Sequence, residues 1–148
     1  MLTYFEDLEI GRVRVSPELI VDGDEMLQYA QLNDPEPFHL EDEAARRIGF
    51  RGTIASGGFS ISLFYRLSHG LRKATEEQLV FLGGFDWHVK FPKPVHAGDR
   101  LRLRETILEK RLSSTPSRGV VKYLFELLDR SDAVVLSIES TALVGTRP

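Results

Sequence analysis

The residues best suited to chemistry cluster around two prolines. The stretch Asn33-Asp34-Pro35-Glu36-Pro37-Phe38-His39 places a carboxylate and an imidazole five positions apart. An Asp and a His that reach one water can divide its protons, one taking a proton as base while the other delivers one as acid. The same residues allow a plainer use, in which Asp34 caps a turn and His39 is a satisfied loop histidine.

Two further segments carry polar groups in chemically useful patterns. Ala55-Ser56-Gly57-Gly58 stands before a long apolar run. Small residues at a helix start leave backbone N–H groups and the positive end of the helix dipole open to an oxygen acquiring negative charge. Alternatively, Ser56 caps the helix and the glycines permit tight packing. Lys90-Phe91-Pro92-Lys93-Pro94-Val95-His96-Ala97-Gly98-Asp99-Arg100 opens a region, Lys90 to Arg111, that holds 7 basic and 3 acidic residues. Lys90, Lys93 and Arg100 are candidate contacts for phosphates, and Arg100, Arg102 and Arg104 share one strand face. A solvated outer sheet face accounts for them equally. His69, His88 and His96 are scattered without metal-ligand spacing, so no metal site is expected. Phosphate-binding loops, esterase elbows and dinucleotide fingerprints are absent.

The elements that must position these groups follow from periodicity and punctuation. Phe5 to Ile20 reads as a loop and a strand around Gly11, with Val13, Val15, Leu19 and Ile20 as apolar contacts. Asp22 or Asp24 caps a helix carrying Met26, Leu27, Tyr29 and Ala30, which must stop before Asp34-Pro35. Asn33 to His39 is expected as an extended loop, Glu41 to Ile48 as a short helix ending at Gly49. Phe59 to Leu71 is apolar on almost every side and reads as a buried central helix. Period-two segments then follow at 79–91, 100–109, 119–128 and 133–144, with turns at 114–117 and 129–132. Strand, helices and then consecutive strands point to an α+β fold in which a curled antiparallel sheet wraps one long helix.

Composition bounds the answer. The 148 residues are 28% charged and 42% hydrophobic, with a net charge of −3 and no cysteine. This fits one domain over residues 1–148, and it excludes disulfides and thiol nucleophiles. Neither a membrane span nor a secretory signal is visible, so a cytoplasmic location is expected. Residues 1 to 45 hold 12 acidic and 2 basic side chains, a balance of −10, which leaves +7 for the remainder. The overall acidity and the lack of a recognition motif argue against nucleic acid.

Residues 29 to 67 resemble the MaoC-like dehydratase family, which includes the (R)-specific enoyl-CoA hydratases. The family signature Asp-x-Asn-Pro-x-His is matched by Asp34, Pro37 and His39, followed by Ala44 and Ala45, Phe50, and Ile54-Ala55 with Gly57. Gly-Gly-Phe-Asp-Trp-His-Val-Lys-Phe-Pro-Lys-Pro-Val-His-Ala-Gly-Asp resembles the family's later strand and corner. Glu36 stands at the signature's Asn, Ser56 at the His of Ala-His-Gly, and Tyr65 where a serine is common in the long helix. The resemblance implies the hot-dog fold, a homodimer with higher homo-oligomers open, and a place in fatty-acid metabolism. It further implies water addition to, or removal from, an enoyl-CoA thioester, with coenzyme A as substrate carrier and no other cofactor. On this reading Asp34 and His39 activate the water, and the Gly57 N–H stabilises the enolate-like oxygen. Ser56, Glu36, Phe59, Tyr65, Lys90, Lys93 and Arg100 are the candidate substrate contacts. A thioesterase, or a non-catalytic acyl-CoA-binding subunit, are the alternatives.

Overall fold

The computed structural model describes all residues 1–148. After strand β1 (Leu2–Thr3) and a 3-10 turn at Phe5–Asp7 come β2 (Val13–Val15) and β3 (Leu19–Ile20). Four helices follow, α1 (Gly23–Asn33), α2 (Pro37–Leu40), α3 (Asp42–Arg47) and α4 (Gly57–Ala74). The chain then runs through β4 (Gln78–Leu79), β5 (Phe81–Lys90), β6 (Arg100–Leu112), β7 (Arg118–Leu128) and β8 (Val134–Gly145). The main sheet has the order β2-β6-β7-β8-β5, with β3 also pairing β6, and every pairing in it is antiparallel. β1 and β4 form a small parallel pair.

Alternation decides which faces meet. Leu101, Leu103 and Ile107 of β6, Val121, Tyr123 and Phe125 of β7, and Leu136, Ile138, Ala142 and Val144 of β8 form one apolar surface. Phe59, Leu63, Phe64, Leu67 and Leu71, at helical spacing, lay one stripe of α4 onto it. This is the hot-dog arrangement, a long helix held by a curled sheet. No helix is long and apolar enough to cross a membrane.

Three expectations are corrected. Pro37 does not hold 33–39 extended. It starts α2 at a first-turn position where its missing N–H is no loss, and the extended conformation falls on Glu36, the residue before it. α4 is not apolar all round, since Tyr65, Arg66, His69 and Lys73 are exposed on the side away from the sheet. Val13 and Val15 are about half exposed because β2 turns Arg14 inward instead, and Ile20 of β3 is exposed as well. Arg14 donates to Glu105 Oε1 from Nε at 3.1 Å and from Nη2 at 2.8 Å. Glu105, only 3% exposed, also receives Arg12, and both arginines reach Glu77 beyond the end of α4. Mutual neutralisation and several hydrogen bonds are what make burying such charges tolerable.

The turn between β7 and β8 is held by Asp129. One carboxylate oxygen accepts from the N–H groups of Ser131 and Ala133, and the other from Lys93 Nζ at 2.6 Å. Lys93 above all, with those N–H groups, holds the Asp129 carboxyl well below the usual carboxylate range. The ionised form is favoured by folding, so its contribution is complete above the usual carboxylate range and is lost as pH falls below it. Asp129→Asn is expected to cost about 1–2 kcal/mol near neutral pH. In denaturant titrations at a series of pH values, the deficit relative to wild type should shrink as the solution is acidified.

Candidate functional site

α1 ends where the sequence requires it to. Asp22 caps its start by accepting from Asp24 and Glu25 N–H, and Asp34 follows Asn33 with non-helical angles before Pro35. That corner aims the Asp34 side chain at the short α2, which presents His39, and at the start of α4, which presents Ser56. His39 Nε2 lies 3.2 Å from Asp34 Oδ2, and Ser56 Oγ donates to that same oxygen at 2.8 Å. His39 and Ser56 are buried, whereas the Asp34 side chain is 40% exposed and gives the cluster its open side.

His39 Nδ1 is 2.7 Å from the Ile54 carbonyl oxygen. A carbonyl only accepts, so Nδ1 carries a hydrogen and donates it. That contact holds the ring with Nε2 facing Asp34 Oδ2.

Beside it, α4 begins without a cap. The Ser56 side chain accepts from no N–H of the helix, and the N–H groups of Gly57, Gly58 and Phe59 donate to no atom of the chain. Two aromatic rings crowd this start. A Cβ on Gly58 would lie 2.0 Å from the Tyr29 hydroxyl oxygen, and one on Gly57 would lie 3.0 Å from the Phe91 ring. A cavity of about 540 Å³ opens at Gly57, walled by Ile54, Ala55, Phe91, Pro92 and Val95 and reaching Lys93. Lys93 and Pro94 also border a charged depression of about 430 Å³ containing Arg51, His96, Arg100 and Arg130.

The expected residues divide accordingly. Asp34, His39, Ser56 and Gly57 come together. Glu36 is exposed and bonds to neither member of the pair. Phe59 lies in the core against Tyr29, with ring centroids 5.8 Å apart. Tyr65 lines a separate pocket of about 170 Å³ with Phe64 and Trp87, further along α4. Lys90 borders neither of the two larger cavities. Lys93 is paired with Asp129, Arg100 with Glu18, Arg102 with Asp132 and Arg104 with Glu126. The outer face they share is thus largely compensated. Sequence reasoning missed Tyr29, Phe91 and the Ile54 carbonyl. Phe91, next to Pro92 and one residue past β5, is the only one whose position in sequence hinted at a cavity wall.

Comparison with known proteins adds the following. The family model described as MaoC like domain matches residues 7–126. The MaoC-like dehydratase from Rhodospirillum rubrum superposes with a TM-score of 0.87 at 29% identity, covering 99% of both chains. The R-hydratase PhaJ1 from Pseudomonas aeruginosa superposes at 0.69 with 21% identity, covering 97% of this chain and 86% of that one, a likeness of fold. The uncharacterized protein YdeM of Bacillus subtilis strain 168 is 25% identical over 142 residues, 94% of this chain and 96% of YdeM.

The glycine at the second position of α4 is a steric requirement with a defined partner. Gly58→Ala should destabilise the protein by about 1–3 kcal/mol in chemical denaturation, as overpacking does. Combining it with Tyr29→Phe, which removes the obstructing oxygen, should recover a measurable part of that loss. Strictly additive effects in the double-mutant cycle would show that the two side chains do not meet.

Proposed function

The chain belongs to the MaoC-like family, and from that membership we propose that it is a hydratase or dehydratase of enoyl thioesters, with Asp34 and His39 as its acid/base unit. The observation that supports the reading is the 3.2 Å approach of His39 Nε2 to Asp34 Oδ2, with the His39 ring oriented through Nδ1 by the Ile54 carbonyl. Adding water across a 2-enoyl double bond requires one proton to leave the water and one to reach the α-carbon. Asp34 Oδ1 takes the first as the water oxygen attacks the β-carbon, and the Asp34–His39 unit delivers one proton to the α-carbon. One proton enters the unit and one leaves it, so the unit is restored. Oxygen and hydrogen arrive from one side, so addition is syn. Dehydration is the same sequence reversed.

As the α-carbon awaits its proton, negative charge collects on the thioester oxygen. The free Gly57 N–H, at the positive end of an 18-residue helix, supports that charge without having to give up another bond. The cavity from Gly57 to Lys93 suits the thin arm of a carrier. The depression holding Arg51, Lys93, Arg100 and Arg130 suits the phosphates of coenzyme A, in exchange for part of their present pairing. The reaction needs no other cofactor, and such a substrate agrees with a cytoplasmic enzyme.

We also read the protein as a homodimer. β5 pairs only with β8, which leaves its other edge open, and Phe81, Leu82, Phe85 and Trp87 are exposed along it. An open apolar edge of ten residues is an aggregation hazard unless it is covered, and a second copy pairing edge to edge covers it. Sedimentation equilibrium at micromolar concentration should return the mass of two chains. A single-chain mass overturns the dimer.

Activity is tested by following loss of enoyl absorbance with crotonyl-CoA and longer enoyl-CoAs. Asp34→Asn and His39→Ala should each lower kcat by about 10²–10⁴-fold, while Glu36→Gln stays close to wild type. No thiol should be released at any stage, which separates hydration from thioester hydrolysis. Intact rates in both variants, or no turnover of any enoyl thioester by wild type, would overturn the reading.

A further inference from the structure

Ser56 sits at the N-cap of α4, where a serine ordinarily turns its oxygen to accept from the second or third N–H of the helix. Here it does not. Its single hydroxyl hydrogen goes to Asp34 Oδ2 at 2.8 Å, and the residue is 4% exposed, so bulk water does not compete for it. Oδ2 is therefore engaged from two directions, by Ser56 and by His39, while Oδ1 has no partner in the chain. A carboxylate held only by His39 could rotate about its Cβ–Cγ bond and exchange its two oxygens. With Ser56 and His39 both on Oδ2, the oxygens have fixed and different duties.

We propose that Ser56 is a positioning residue: its hydroxyl fixes Oδ2 as the oxygen that faces His39 Nε2 and leaves Oδ1 as the one that meets water. This rests on the acid/base reading of Asp34 and His39 given above. The same diversion of the hydroxyl leaves the first N–H groups of α4 uncapped, so a single side chain serves both ends of the reaction. It withholds a cap from the helix start, and it supplies a donor to the base.

The test uses the full-length protein with Ser56→Ala and Ser56→Thr, the second keeping a hydroxyl. Ser56→Ala is expected to lower kcat for crotonyl-CoA hydration by about 10- to 100-fold, the worth of one hydrogen bond to a charged group, with KM within about twofold. Ser56→Thr should recover most of the rate. The ¹⁵N NMR signal of His39 Nε2, which senses the carboxylate oxygen it faces, should match wild type in Ser56→Thr and shift in Ser56→Ala. A residue that served only the fold would lower the melting temperature and leave both the His39 signal and kcat per folded molecule alone. That result, or equal losses in the Ala and Thr variants, overturns the proposal. The NMR measurement needs no turnover, so a shifted His39 signal in a protein inactive on every enoyl thioester would sink the hydratase reading and leave the positioning role standing.

Discussion

One oxygen atom constrains the site more than any other. Asp34 Oδ2 is where the end of α1, the short α2 and the start of α4 meet, through Asp34 itself, His39 and Ser56. No two of these residues share an element, so their convergence depends on where three helix termini stop. Asp34-Pro35 stops α1, Pro37 starts α2 two residues before His39, and Ser56-Gly57-Gly58 starts α4. A shift of one residue in any terminus would rotate its side chain by about 100° away from the others. The sheet takes part only indirectly, by holding α4 along one stripe so that its first turn stays in place.

What could be read in advance was local. A cap at Asp22 or Asp24, the break at Asp34-Pro35, the turn at Gly49, the start of β6 and, to within one residue, the bounds of β7 and β8 each depend on chemistry within a few residues, and each was legible, whereas β6 runs three residues past its expected end. The Asp34, His39 and Gly57 cluster was legible as a list of residues, largely through a family signature. Its geometry was not, because the partner that fixes His39 is a backbone carbonyl at Ile54, and any residue type there would present the same atom. The inward turn of Arg14 was equally hidden. A strand reading Val-Arg-Val suggests that the valines go in, and only Glu105, 91 positions later, makes the arginine the buried side chain. The basic stripe of Arg100, Arg102 and Arg104 misled for the same reason, since its carboxylate partners are distant in sequence.

The charge imbalance between the two parts of the chain is partly offset in the same way. Glu18 meets Arg100, Glu25 meets Arg66, Asp7 meets Arg147, and Asp42 and Glu43 meet Arg46 and Arg47. Five of the 12 acids in the first 45 residues thus face a base from the remainder. Each exposed pair contributes little to stability. Their joint effect is to lower the field that either segment would carry alone.

β2 and β3 have a consequence for the order in which the chain is made. Both pair with β6, so their hydrogen bonds and the ion pair of Arg14 with Glu105 wait until residues about 90 positions later have been synthesised. At about 5–20 residues per second, that is roughly 5–20 s during which an edge segment with exposed Val13, Val15 and Ile20 has no partner. Through that interval the first 45 residues carry 12 acidic against 2 basic groups, and segments of one sign repel each other. Folding then sets five of those acids against bases from residues 46 to 148.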